Sequence, residues 1–161
     1  MSDRTLQLTT SSPEETGRLG AALAHALTVG DLVVLSGDLG AGKTTLVRAL
    51  ARALDVTAPV TSPTFTLLQT YEGRLRLHHL DAYRLDDPDE AMVLDLPTLL
   101  DDDAAVLIEW GEKLDELLPP HRLRVEIVLG EVDRPDERRI TLTGIGPRWT
   151  AAWPGLEASL C

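Results

Sequence analysis

Cysteine is almost absent from this chain: its one example, Cys161, is the last residue. That excludes an internal disulfide and any cysteine-based zinc site, and Cys161 reads as a solvated terminal thiol. No apolar run approaches the ~20 residues needed to cross a bilayer. The opening stretch, MSDRTLQLTT, has neither an apolar signal core nor an Arg-rich amphipathic pattern. A cytoplasmic protein with no membrane association is therefore the expectation. Lysine is nearly as scarce, for thirteen of the fifteen basic residues are Arg and only Lys43 and Lys113 are Lys. Arg favours oriented, bidentate pairing over diffuse charge. Positive charge is in deficit overall, with a formal net charge of −11. Nucleic-acid affinity rests largely on Lys and Arg neutralising phosphates, so direct binding to DNA or RNA is not expected. His25, His78 and His121 show no metal-ligand spacing. The run Asp101-Asp102-Asp103 reads as a solvated loop before a strand, and Asp86 to Glu90 as a cap and helix face.

What is present is an ordinary core. With 161 residues, 43% of them apolar and 25% charged, the chain suits one globular domain. No internal repeat is visible. Thr5 to Leu8 alternates as a short strand. Ser12-Pro13-Glu14-Glu15 opens a helix, and Leu19, Leu23, Ala26 and Leu27 carry it to Leu27 at helical spacing. Leu32 to Leu35 is a short apolar run suited to a strand buried on both faces, and Lys43 to Leu54 is a second amphipathic helix. Phe65 to Tyr71 and Leu75 to Leu80 read as a hairpin around Glu72-Gly73-Arg74. A capped helix is expected from Asp86 to about Leu94, with a short helical piece at Leu96 to Leu100. A buried strand follows at Ala104 to Ile108, then a short helix at Glu112 to Leu118. Leu123 to Leu129 and Arg138 to Leu142 form a late antiparallel pair. Arg148 to Leu160 reads as a helix broken at Pro154, and the tail from about residue 147 is expected to be peripheral. Strands interleave with helices early and pair late, the pattern of an α/β fold. The expectation is a single P-loop NTPase-like domain over 1–161, with a central mixed, mostly parallel sheet flanked by helices.

One motif carries chemistry directly. Gly37-Asp38-Leu39-Gly40-Ala41-Gly42-Lys43-Thr44 matches G-x-x-x-x-G-K-[ST]. A polyphosphate needs several N–H donors converging on it, and the three glycines allow the tight curl. The helix starting near Lys43 directs free amides and its positive dipole end at the anion. Lys43 supplies an ammonium for the β- and γ-phosphates, Thr44 a hydroxyl for Mg²⁺, and Thr45 lies toward the α-phosphate. A strand before and a helix after give the motif its required setting. A second carboxylate for the metal is usually found at the end of another buried strand, and Glu109, closing Ala105 to Ile108, is the candidate.

Four segments in order then resemble a known family: GDLGAGKTT, Ser62-Pro63-Thr64-Phe65, His79-Leu80-Asp81-Ala82-Tyr83-Arg84-Leu85, and Ile108-Glu109-Trp110-Gly111-Glu112. Together they resemble TsaE (also called YjeE), the bacterial ATPase of threonylcarbamoyladenosine synthesis on tRNA, from about Glu14 to Ile140. The resemblance implies ATP and Mg²⁺ as ligands and stimulation by partners; with no obvious arginine finger in the chain apart from Arg84, hydrolysis by the chain alone is expected to be slow. Those partners would be TsaD- and TsaB-type proteins, with tRNA contacted only indirectly through the complex. It implies a switch-like loop at Ser62 to Phe65 with Thr64 as its polar contact, and Asp81 near the phosphates, holding the metal's water shell or orienting the attacking water. Glu109 would coordinate Mg²⁺, with Trp110 beside the site or simply packed. Arg84 would support a phosphate or pair with an acid. His79 and Tyr83 read as packing residues. Arg138 and Arg139 match a late basic segment; one would lie along the base, although solvated strand arginines are the plainer reading. The segment near Ser12 would touch the base. No Asn-Lys-x-Asp guanine-reading motif occurs, in agreement with ATP. Two other functions use the same loop: a small-molecule kinase, and a non-catalytic nucleotide-gated binding module.

Overall fold

The computed structural model describes residues 3–38, 40–61, 68–83 and 95–160, the side chains at 112 and 113 excepted. Seven strands form one sheet: β1 (Arg4–Thr10), β2 (Leu32–Gly37), β3 (Leu68–Tyr71), β4 (Leu77–Asp81), β5 (Ala105–Glu109), β6 (Arg122–Leu129) and β7 (Arg138–Ile145), in the order β1-β7-β6-β2-β5-β4-β3. The central strands β6, β2, β5 and β4 run parallel, and the pairs β1–β7, β7–β6 and β4–β3 are antiparallel. Only β7 and β3 therefore oppose the common direction, which gives the mixed, mostly parallel sheet that the sequence pattern implies.

The central strands β2 and β5 are apolar because both of their faces are covered, whereas β6 alternates and turns Arg124 and Glu126 outward. On one face Val33, Leu35, Leu107 and Val125 meet α1 (Pro13–Ala26) and α2 (Lys43–Ala53). Leu32, Val34, Val106 and Ile108 form a smaller cluster on the other, with Leu96 of α3 (Leu96–Asp101) and Leu114 of a 3₁₀ helix, Gly111–Leu117. The helices α1 and α2 cross at Gly20, where a Cβ would stand 2.7 Å from the Leu46 carbonyl oxygen. Only a residue without a side chain lets the two backbones come so close.

Two sequence expectations are corrected at the C-terminus. α4 (Pro147–Leu160) runs through Pro154 without a break. Pro154 has no N–H to give the preceding turn, but Trp149 and Trp153 are buried and hold the helix against the sheet. For the same reason the segment from 147 is not peripheral: Trp149, Trp153 and Leu156 belong to the larger core cluster, and a Cβ on Gly144 of β7 would collide with Trp153 at 2.8 Å. The short helix expected at Glu112 to Leu118 is a 3₁₀ helix over Gly111–Leu117. The helix expected from Asp86 to about Leu94 lies outside the described residues, as do Phe65, Thr66 and Leu67 of the first hairpin strand.

Candidate functional site

The two long early helices begin in opposite ways. α1 satisfies its own N-terminus: Ser12 Oγ accepts the Glu15 amide at 3.2 Å, and the Glu15 carboxylate accepts the Ser11 amide at 2.6 Å. Glu14 and Glu15 add negative charge to its first turn. α2 has none of this. Its N-cap is Gly42 in the left-handed region (φ 104°), no described side chain caps it, and its first turn holds no acid. The first amides of a helix have no intrahelical acceptor, so α2 directs its first amides and its positive end at the loop before it. The loop can curl this way because Gly40 (φ 80°) and Gly42 take backbone angles that a Cβ penalises.

Lys43 is 6% exposed. Its Nζ donates to the carbonyl of Gly37 and, at 3.2 Å, to that of Asp38, and it stands 4.0 Å from the centre of the Trp110 ring. The Asp38 carbonyl also accepts the Ala41 amide at 3.0 Å. The ammonium is thus fixed at the mouth of the loop instead of reaching into solvent. Trp110 comes there through an unusual backbone: it has φ 60°, uncommon for a bulky residue, and its amide donates to the Leu35 carbonyl at 2.9 Å. Its ring also packs against Tyr83, with centroids 5.0 Å apart. Trp110 packs against the smaller core cluster and borders the lysine.

Parallel pairing brings the acids in. Asp81 pairs with Glu109 in register and Glu109 with Leu35, so two carboxylates stand at the C-terminal ends of β4 and β5 beside the strand that leads into the loop. Ligand crevices of open α/β sheets lie at this edge. Asp81 and Glu109 are 6% and 3% exposed. Asp81 Oδ1 accepts the Tyr83 amide at 2.9 Å, and Glu109 Oε2 lies 2.6 Å from His79 Nε2. Burying carboxylates is costly unless hydrogen bonds or cations compensate, and each of these two keeps a hydrogen bond.

A cleft on the other side of the loop is lined by Ser12, Thr16, Ala41, Thr45, Asp136 and Arg138. Arg138 is not merely a solvated strand arginine. Its Nε donates to the Ala41 carbonyl at 2.9 Å, and its Nη1 to those of Pro135 and Glu137 at 2.6 and 2.9 Å, tying β7 to the loop. Arg139 is exposed on β7. Ser12 is at once the cap of α1 and a wall of this cleft. Thr44 and Thr45 occupy the first turn of α2, half-buried. Leu39, Ser62 to Phe65 with Thr64, and Arg84 lie outside the described residues. Sequence reasoning missed the Arg138 clamp and the His79–Glu109 contact. The first had no signal beyond two adjacent arginines; the second would have followed from pairing β4 with β5 in parallel, which brings positions 79 and 109 to one face.

On the opposite face lies a polar chain. Thr70 Oγ1 is hydrogen-bonded to His78 Nδ1 at 2.8 Å, and His78 Nε2 to Asp102 Oδ2 at 2.8 Å. Asp102 is further held by Arg76, 3.3 Å away. The His78 contact, then the Asp103 amide, lower the Asp102 carboxyl from its ordinary value. Asp102 is thus an anchor at the start of β5, not just a solvated loop acid.

Comparison with known proteins gives a single answer. The model of the family "Threonylcarbamoyl adenosine biosynthesis protein TsaE" matches residues 10–140. The tRNA threonylcarbamoyladenosine biosynthesis protein TsaE of Streptomyces coelicolor is 47% identical over 139 residues, 83% of this chain and 93% of that protein. The protein of the same name from Bacillus subtilis is 40% identical over 146 residues, 89% of each. Among solved structures, Bacillus subtilis YdiB superposes with a TM-score of 0.81 at 33% identity, covering 98% of this chain and 97% of that one. With the family model spanning most of the chain, and these relatives alike over nearly their full length, this protein belongs to the TsaE family of tRNA threonylcarbamoyladenosine biosynthesis.

Proposed function

We propose that this chain is an ATPase that binds ATP with Mg²⁺ at Gly37 to Thr45 and hydrolyses it in support of a TsaB–TsaD-type complex that modifies tRNA. The observation that carries the reading is the meeting of three features at one sheet edge. These are an uncapped, acid-free helix start at Gly42, the buried ammonium of Lys43, and the register pair Asp81–Glu109. Cations and amide donors gathered there suit a polyphosphate, and the acids beside them suit a metal that the phosphates share. Among the described residues no group of three or more His, Cys, Asp or Glu could hold a metal alone. Thr44 and Glu109, with Asp81 close by, would hold magnesium together with phosphate oxygens; when bound, the ion neutralises charge on the triphosphate.

The remaining work falls to the chain itself. The first-turn amides of α2 and Lys43 bind the phosphates and stabilise charge that builds on the γ-phosphoryl group as its bond to the leaving diphosphate breaks. Asp81, its Oδ1 held by the Tyr83 amide, orients the attacking water or the metal's water shell. Arg138 fixes the rear of the loop through the Ala41 carbonyl. Ser12, Thr45 and Arg138 line the cleft where the rest of the nucleotide would extend. The strongly acidic chain would contact proteins, leaving tRNA to another subunit. No helix among the described residues is long and apolar enough to cross a membrane.

The test is phosphate release from ATP with and without TsaB and TsaD proteins, on the wild type and Lys43→Ala. Loss of one transition-state donor lowers turnover by ~10²–10³-fold. Stimulation by the partners and that loss in the variant are the expected results. Unchanged hydrolysis in Lys43→Ala would remove the lysine's role, and a phosphorylated small molecule in place of free phosphate would make the protein a kinase.

A further inference from the structure

His79 stands directly behind Glu109 and has a task of its own. It precedes Asp81 by two residues on β4, so both point to the same face of the sheet, the face that carries Leu77, Leu107 and α2. The imidazole is 0% exposed. Its Nε2 lies 2.6 Å from Glu109 Oε2, and its Nδ1 is buried with no hydrogen-bond partner among the described residues. Among the described residues nothing would accept a hydrogen on Nδ1, so the tautomer that satisfies the ring carries its hydrogen on Nε2, facing Glu109 Oε2. Simple packing does not call for a histidine here: Leu77 and Leu107, beside it on this face, fill their places with no polar atom to pair. Among the described residues the ring's one polar contact is with Glu109.

That contact matters because the carboxylate torsion of glutamate is soft and nearly two-fold. A single donor on Oε2 stops the group turning and leaves Oε1 as the oxygen to serve a ligand. We propose that His79 is a positioning residue that locks the Glu109 carboxylate in the orientation magnesium requires. The inference rests on the nucleotide-and-magnesium reading above, and adds a residue to it. Outer-shell partners of this kind set metal affinity by holding the ligand, without touching the metal.

The experiment is a magnesium titration of the binding of a fluorescent ATP analogue, with kcat and KM for ATP and a thermal unfolding curve for each protein. The wild type is compared with His79→Leu, which fills the space and removes the donor, and His79→Gln, whose amide reaches the same oxygen. His79→Asn, whose amide stops short, gives a second non-reaching variant in case the leucine variant does not fold. The magnesium concentration for half-maximal binding rises ~10–100-fold in His79→Leu and His79→Asn. Most of that shift is recovered in His79→Gln, kcat falls more than KM rises, and binding without magnesium is unchanged. If wild type depends on magnesium and the leucine and asparagine variants show the same dependence, the proposal is wrong and the nucleotide site stands. If glutamine is as impaired as leucine, His79 is a packing residue and the proposal again fails. A wild type that binds the analogue with no magnesium dependence, or not at all, overturns both readings.

Discussion

Replacing Arg138 with alanine removes a structural link between the sheet and the loop at Gly37 to Thr44, together with part of the wall of the adjoining cleft. The guanidinium makes three hydrogen bonds to carbonyls, but only the one to Ala41 crosses to the loop; the other two fix the side chain to its own turn. A hydrogen bond from a charged group contributes ~1.5–3 kcal/mol. Arg138 is only half-buried, so the lower figure, ~1.5 kcal/mol, applies to the link with Ala41. In Arg138→Ala that loss falls on the order of the loop, and nucleotide binds about 10-fold more weakly, since each ~1.4 kcal/mol is a factor of ten. Arg138→Lys recovers little, because an ammonium lacks the planar fork that spans Ala41 and the turn. Global stability changes little, because Arg138 is half-buried and bonds only to the loop and its own turn, while Ile140 and Leu142 hold β7 in the core. The assay is the Kd of a fluorescent ATP analogue with magnesium, paired with thermal unfolding of each variant. An unchanged Kd in Arg138→Ala would refute the clamp. A fall in Tm large enough to account for the weaker binding would refute its localisation to the loop.

Asp102 sets a dependence on acid. Its carboxyl sits below its ordinary value of 3.8 in the folded chain, so the stability it contributes is complete above that value. It is lost as pH falls through the lower folded value. Asp102→Asn removes this term, and its urea-unfolding midpoint should fall less steeply than that of the wild type between pH 4 and ~2; parallel curves would show that the His78–Asp102 contact does not stabilise the fold. Arg148→Ala strips Asp31 of a two-pronged partner, with Nε and Nη2 at 3.2 and 3.0 Å from its oxygens. The Thr28 amide, 2.8 Å away, stays as its donor, which limits the loss to ~2 kcal/mol, read from denaturant unfolding; a change under ~0.5 kcal/mol, ordinary for surface sites, would mean that the pair is inert.

Much of this was legible because it is local. The loop at Gly37 to Thr44 is eight consecutive residues, and the strand and helix on either side of it follow from apolar spacing over a few turns. Glu109 was legible as the end of a buried run, and Ser12-Pro13-Glu14-Glu15 as a helix start. What the sequence withheld depends on register and on long-range contact. Nothing in the spacing of His79, Asp81 and Glu109 reveals that β4 and β5 lie side by side in parallel. Asp102 read as a solvated loop acid, and only the fold ties it to His78, on the face opposite the Asp81–Glu109 pair. Arg138 looked like Arg139, and a reach of 97 residues to Ala41 separates their roles. At Pro154 a sound local rule lost to packing, since two buried tryptophans hold the helix through the missing hydrogen bond.

The most direct test of the central claim is an amide ¹H–¹⁵N NMR titration of the wild type with magnesium and a non-hydrolysable ATP analogue. The account predicts that the largest shifts fall on the amides of Gly40 to Thr45, with smaller ones at Ser12, Arg138 and Trp110. Saturating analogue that leaves those loop amides unmoved, or shifts concentrated on another face of the sheet, would contradict it.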